Sequence, residues 1–327
     1  MTLDWSRRSG LTVAQALKRI DVQPSAVVQL AGSIFADREA FLVGSLAAGL
    51  GNRGSDIDVH VFGEAHDVGL MELFADDRPV EVQQFTYAIP RGLMRGFRDN
   101  DTRVLPLSIG PCSTGETPAR ATQRRMAHWL YALPFQDGGN ETVFTRDEQD
   151  LAHAVLVRGG IEETLLCCTT AELAARAGHA GAPYLWRRAG RWLLETVLRG
   201  AGELFVAEKW LPQRVRRAAI PDDVVVALSH VRDRDGFRAA LRRVGLPRLD
   251  PRELIRLRPY HDMREVALGR ERYLLLSRAR LVERSELGPC TLEEAMAAMP
   301  AKQLLDTLTT QQLVPRLDTA LVDEALS

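Results

Sequence analysis

The sequence predicts an α+β chain: a small mixed-sheet unit, then a helical domain, then a helix-rich C-terminal module. Three observations predict it. Polar and apolar residues alternate over DIDVHVF (56–62) and RPVEVQQFTYAI (78–89), the period of half-buried strands. From about 118 to 218 apolar residues recur at i, i+3 and i+4, the period of helices. At Ile220-Pro221-Asp222-Asp223 the composition shifts to an Arg-rich, helix-patterned remainder. These breaks divide the chain into 1–115, 116–219 and 220–327. A chain of 327 residues is long enough for two or three such units.

Within the first unit, LTVAQALKRI reads as a helix, and PSAVVQLAGSIF as another with Pro24 near its first turn. AFLV (40–43) is a short strand running into Gly44-Ser45, and the turn cluster GLGNRGS leads to the strand at 56–62. DVGLMELFAD (67–76) reads as a short helix before the strand at 78–89. Downstream, RATQRRMAHWLYAL, RDEQDLAHAVLVRGGIEETLLCCTTAELAARA and LWRRAGRWLLETVLRGAGELFVAEKWLPQRVRR read as helical, broken by Pro134, Asp137-Gly138-Gly139 and Gly178 to Pro183. In the last unit RAALRRVGLPRLDPRELIRLRP is helix-rich, YLLL strand-like and TLEEAMAAMPAKQLLDTL helical.

Composition excludes several classes. Apolar residues make up 46% and charged residues 26%, so wholesale disorder and fibrous folds are out. No stretch is apolar and long enough to span a bilayer, and MTLDWSRRSG lacks the apolar core of a secretory signal. Cys167-Cys168 are adjacent, and the four cysteines show no Cys-x-x-Cys pair, so neither a disulfide scaffold nor a zinc site is expected, and the cytoplasm is the expected compartment. The net charge of −1 disfavours nucleic acid as partner. Lys18, Lys209 and Lys302 are the lysines; the other basic residues are arginines, and Arg238 to Arg258 read as a solvated helical face.

Chemistry concentrates in FLVGSLAAGLGNRGSDIDVHVF. Gly44 lets backbone approach a ligand closely, and if the turn opens a helix, its free N–H groups and the Ser45 hydroxyl suit phosphate oxygens. Asp56 and Asp58, two apart on a strand, share one face, while Ile57, Val59 and Val61 point to the core. Paired carboxylates repel unless a hard cation sits between them, and Mg²⁺ completes its oxygen shell with substrate phosphates. His60 extends the carboxylate face, either towards substrate or as a partly exposed strand histidine. Asn52 and Ser55 either contact the nucleotide or close the loop by ordinary turn bonding. Trp186 and Trp192 read as helix–helix core.

Gly44-Ser45, a spacer of residues 46 to 55, and Asp56-Ile57-Asp58 resemble the signature of the DNA polymerase β superfamily of nucleotidyltransferases. RPVEVQQF looks like the strand of aminoglycoside nucleotidyltransferases that bears a third carboxylate, here Glu81. Asp76 and Asp77 compete for that role; strand position favours Glu81. Gly32-Ser33 is discounted because it lies within a helical pattern. The resemblance covers roughly residues 25 to 90. It implies a Mg²⁺-dependent enzyme with two ions held by Asp56, Asp58 and Glu81, which are also its catalytic residues. It implies a nucleotide site at Gly44, Ser45, Ser55 and Lys209, with Lys209 reaching the triphosphate across an interdomain cleft or remaining solvated. Residues 220–327 bear only a faint resemblance to a winged-helix module.

The reaction expected is transfer of NMP, AMP from ATP by the family's habit, to a hydroxyl of a small-molecule acceptor with release of pyrophosphate. The alternatives are a nucleotide cyclase or polymerising enzyme and an antitoxin-type enzyme that modifies a protein. The acceptor, the oligomeric state and the role of residues 220–327 do not follow from the sequence.

Overall fold

The computed structural model describes residues 11–30, 32–35, 38–64, 69–75, 77–106, 109–136, 142–259, 264–268, 271–275, 281–283, 289–310 and 313–327. The chain begins with helices α1 (Val13–Lys18), α2 (Pro24–Leu30) and α3 (Gly32–Phe35). Thr12 and Gln15 form a reciprocal capping box that satisfies backbone N–H groups at the start of α1. Strand β1 (Glu39–Val43) feeds directly into the four-residue helix α4 (Gly44–Ala47), and strands β2 (Ile57–Gly63), β3 (Leu70–Ala75) and β4 (Arg78–Thr86) follow. Gly32-Ser33 lies in α3, a helical setting as expected.

Residues 70–75 correct the sequence reading, which placed a helix over 67–76. They form an edge strand paired antiparallel with β4. Leu70, Glu72 and Phe74 are exposed and alternate with partly buried Met71 and Leu73, a period of two that an apolar-rich hexamer conceals. Ala75 pairs with Arg78 across a two-residue link in which Asp77 has φ 61°, a left-handed conformation that aspartate tolerates. Asp77 is therefore a turn residue; Asp76 and the N-terminal decapeptide lie outside the described residues.

The mixed sheet has the order β3-β4-β2-β1-β7, where β7 is Leu133–Pro134. β1 and β2 are antiparallel, whereas β2 and β4 are parallel. On one face Ile57, Val59, Val80 and Val82 are fully buried and join a core with Leu17 of α1 and Val27 of α2. The opposite face carries Asp58 and His60 on β2 beside Glu81 and Gln83 on β4.

That second face is covered further along by α6 (Arg120–Leu130), which follows α5 (Ala88–Arg95) and the hairpin β5 (Thr102–Val104) and β6 (Pro111–Ser113). Trp129 of α6 packs edge-on against Phe62, Phe85 and Phe144. Helix α7 (Arg146–Arg176) starts at a Thr145/Glu148 capping box and packs along α8 (Ala182–Gly200). The helical stretch read from 185 to 217 is broken: α8 ends near Gly202 (φ 81°), residues 203–207 are not helical, and a 3₁₀ turn (Glu208–Trp210) leads into α9 (Leu211–Arg217).

Beyond 220 come α10 (Asp222–Ser229), α11 (Arg234–Arg243), α12 (Pro251–Leu254), β8 (Ile255–Pro259), β9 (Arg264–Leu268), β10 (Glu271–Leu275), β11 (Leu281–Glu283), β12 (Cys290–Thr291), α13 (Leu292–Ala298), α14 (Ala301–Thr309), β13 (Leu313–Leu317) and α15 (Thr319–Ala325). The helical reading of RELIRLRP holds only to Leu254; Ile255–Pro259 is the central strand of a three-stranded sheet, and β10 contains the expected YLL. A second core joins α7, α8, α10 and α11 to these elements and takes in Trp186. Part of the Arg-rich stretch is held in ion pairs, Arg234 and Arg238 with Asp250, Arg252 with Glu172, and Arg256 with Asp318, while Arg242, Arg248 and Arg258 are exposed. All four cysteines are free, and among the described residues no helix is long and apolar enough to cross a membrane.

Candidate active site

Val43, the last residue of β1, stands opposite Asp58 on β2. The chain then turns at Gly44 with φ 72°, and a Cβ built there would overlap the Asp58 carboxylate. The glycine thus meets two demands at once: a left-handed backbone and the room for a carboxylate against the bend. The loop closes tightly behind it, with the Ser45 carbonyl accepting from the amides of Leu50 (2.9 Å) and Gly51 (2.8 Å). Ser45 is 8% exposed, and its hydroxyl makes no hydrogen bond among the described residues.

Asp58 and Glu81 are register partners on parallel strands, so their side chains leave the same face side by side. Glu72 is in turn the register partner of Glu81 on β3. Asp56 precedes the first residue of β2 and is exposed, so it sits at the strand mouth and not within the strand. Burial pushes the Asp58 carboxyl up to about 7; Glu81 and Asp56 push in the same direction, and Arg124 and Lys209 pull it down. Four charged groups, from β4, the strand mouth, α6 and the 3₁₀ turn, therefore act on Asp58. Lys209 lies on the 3₁₀ turn with its Nζ 5.3 Å from the Trp210 ring centre.

Ser55 is 3% exposed, and its Oγ accepts from the Asn52 amide (3.0 Å), while Asn52 Oδ1 accepts from the Gly54 amide (3.0 Å). Both side chains are engaged in shaping the loop that delivers Asp56.

A cavity of about 250 Å³ opens on this face. Its floor is Asp58, His60, Glu81 and Gln83, and its roof is Ala121, Arg124, Arg125 and His128 of α6. His60 is 6% exposed, and its Nδ1 accepts a hydrogen bond from the Trp129 indole N–H (3.0 Å). Burial lowers its pKa to about 3, helped by His128 and Arg125, so the ring is neutral and its proton sits on Nε2. His128 is held down to about 4 by burial and by Arg124 and Arg125, and it stacks on His60 (5.9 Å) and Phe205 (5.4 Å).

The sequence reading missed Arg124, Arg125 and His128. The signal was present: Ala121, Arg124 or Arg125, and His128 recur at helical spacing on one face of RATQRRMAHWL. Trp192, read as core, is indeed buried at 7% exposure, and its ring is flanked by the guanidinium groups of Arg120 (4.8 Å) and Arg199 (5.8 Å).

All the donors at the strand mouth are carboxylate oxygens, the set that hard divalent cations prefer. Among the described residues no three His, Cys, Asp or Glu side chains stand close enough together to hold a metal ion by themselves. Magnesium needs only one or two protein carboxylates when phosphates and water complete its shell, and a cation would relieve both the burial of the Asp58 charge and the repulsion from Glu81 and Asp56 that together raise its pKa. The residues present fit the ion on those terms.

Residues 25–91 match the sequence model of the family described as nucleotidyltransferase domain, consistent with the DNA polymerase β-like enzymes. The matched segment contains Gly44, Ser45, Asp56, Asp58 and Glu81 and ends before α6, so Arg124 and Lys209 lie outside it. No curated protein matches the chain.

Proposed function

Starting from a chain whose residues 25–91 are a nucleotidyltransferase domain, and which is therefore a transferase, we propose a Mg²⁺-dependent enzyme that moves NMP from an NTP to the hydroxyl of a small-molecule acceptor. The observation that supports it best is the alignment of Asp58 with Glu81 beside a bend that only glycine can make. ATP as donor is the family's habit carried over.

In this reading Asp56, Asp58 and Glu81 would hold magnesium, as two ions, which would neutralise phosphate charge and acidify the acceptor hydroxyl. The Gly44-Ser45 bend receives the phosphates with the Ser45 hydroxyl turned to them. Ser55 contributes by fixing the loop. Lys209 and Arg124 supply positive charge towards the triphosphate, the polarity that opposes the build-up of negative charge on the leaving group. Glu81 takes the acceptor proton as general base. The acceptor oxygen bonds to the α-phosphorus, the bond from that phosphorus to the bridging oxygen breaks, and pyrophosphate departs. His60, neutral and with its proton on Nε2, offers a fixed donor at the cavity floor.

Incubation with α-labelled ATP and Mg²⁺ tests the proposal. Label transferred to a hydroxyl compound, with stoichiometric pyrophosphate, supports it. Product formed from ATP alone marks a cyclase or polymerising enzyme, and labelling of a co-expressed protein marks an antitoxin-type enzyme.

A further inference from the structure

A second cavity, of about 380 Å³, adjoins the first and shares Ala121, Arg124 and His128 with it. Its walls bring Trp192, Leu204 and Phe205 together with the guanidinium groups of Arg120, Arg124 and Arg199, and no Asp or Glu among the described residues lines it.

Arg199 is the unusual member. It is 4% exposed, yet it enters no ion pair among the described residues. Its Nη1 donates to the uncharged oxygens of Gln123 (3.1 Å) and the Leu156 carbonyl, and its Nε has no acceptor at all. The carboxylate that acts on it most strongly, Glu195, already accepts a hydrogen bond from Arg214 (3.0 Å). Buried cations are ordinarily paired, because removing one from water without a counter-charge is strongly unfavourable. Burial accordingly lowers the Arg199 pKa to about 10. The cavity wall thus holds a buried cation that forms no ion pair among the described residues, beside two further arginines and an aromatic surface.

We propose that this cavity is the acceptor site and that the acceptor is an anion: a hydroxyl compound with a flat apolar body and a carboxylate or phosphate that pairs with Arg199 and Arg120. This rests on the transferase reading only for the word acceptor; the anion site stands on geometry alone. It also separates this chain from enzymes whose acceptors are polycationic, since such a molecule would meet Arg120, Arg124 and Arg199 with like charge.

The test is calorimetric titration of the full chain with 3-(4-hydroxyphenyl)propionate, phenyl phosphate, neutral tyrosol and cationic tyramine, each with and without a non-hydrolysable ATP analogue plus Mg²⁺. At least one of the two anions is expected to bind, at least tenfold tighter than tyrosol, and tyramine is expected not to bind; the preferred anion tells carboxylate from phosphate. Arg120→Ala, an exposed position, is expected to weaken the anion about tenfold. Arg199→Met is expected to abolish binding; if it does not fold, Arg120→Ala and Trp192→Leu decide the matter. Tyramine binding as well as the anions, neither anion binding, or an unchanged Kd in Arg120→Ala overturns the anion site. Displacement of the anion by the nucleotide overturns its assignment to the acceptor. Anion binding by a protein that transfers no nucleotide to any compound sinks the transferase reading and leaves the site intact; transfer to tyrosol without anion binding does the reverse.

Discussion

Gly44 and Asp58 claim the same volume: the space where a Cβ of residue 44 would lie is filled by the Asp58 carboxylate. The bend at the end of β1 and the carboxylate at the start of β2 are therefore a single device, and residue 44 cannot gain a side chain without moving Asp58. Gly44→Ala forces a left-handed alanine and displaces Asp58, at a combined cost of about 1–3 kcal/mol. The expected outcome is a lower melting temperature with nucleotidyl transfer reduced at least ~10²-fold. A variant that melts lower yet transfers normally would separate the bend from the chemistry.

The raised pKa of Asp58 has a stability consequence in the absence of metal. Unfolded, this carboxyl titrates near 4; folded, near 7. Between those values the folded chain holds a proton that the unfolded chain has released, so stability from this group falls as pH rises from about 4 to about 7. His60 and His128 act in the opposite sense: their pKa values fall from 6.5 to about 3 and about 4, so their contribution is present above 6.5 and lost as pH falls towards those values. Subtracting the melting temperature of Asp58→Asn isolates the carboxylate. With chelator present, the two proteins are expected to converge near pH 4, and the Asn variant to be the more stable at pH 8.

Arg124 and Lys209 both favour the ionised form of Asp58. Arg124→Ala or Lys209→Ala is expected to move the acid limb of the pH–rate profile to higher pH, and the double variant further. Profiles that superimpose on the wild type would show that neither cation acts on this carboxylate.

The Trp129 indole N–H fixes the His60 proton on Nε2. Trp129→Phe keeps an aromatic ring but leaves a buried ring nitrogen without a donor, a loss of about 1–3 kcal/mol. Denaturant unfolding gives the energy, and ¹⁵N NMR of His60 is expected to report a mixture of tautomers in the variant against one in the wild type.

Inside the helical region, Arg214 is fully buried and bonded to Glu195, itself 4% exposed in its side chain. Glu195→Ala strands that guanidinium, and the expected destabilisation is about 3–5 kcal/mol by urea unfolding. A loss below ~1 kcal/mol would mean that the Glu203 backbone carbonyl, which also accepts from Arg214, suffices.

The alternation in DIDVHVF and RPVEVQQF made β2 and β4 legible, because Ile57, Val59, Val61, Val80 and Val82 share one face while Asp58, His60, Glu81 and Gln83 share the other, and the glycine-serine bend between strands marked the loop. The β3 hexamer LMELFA was not legible, since an exposed edge strand with apolar residues on both faces has the composition of a short helix. Asp77 in a two-residue hairpin was the overlooked cue. Asp58 and Glu81 came together through the parallel pairing of β2 and β4, which local pattern does not encode. Arg124, His128 and Arg199 were hidden for a related reason: they are distant in sequence from the carboxylates, and among so many arginines none stands out until burial and missing partners are seen.

The most direct measurement is label transfer from α-labelled ATP by wild type, Asp58→Asn and Glu81→Gln, side by side, with each protein's melting curve. The expected result is Mg²⁺-dependent transfer by the wild type, and losses of about 10³-fold or more in both variants with folding retained. Transfer at the wild-type rate by a folded Asp58→Asn protein would contradict the assignment of this strand mouth as the catalytic centre.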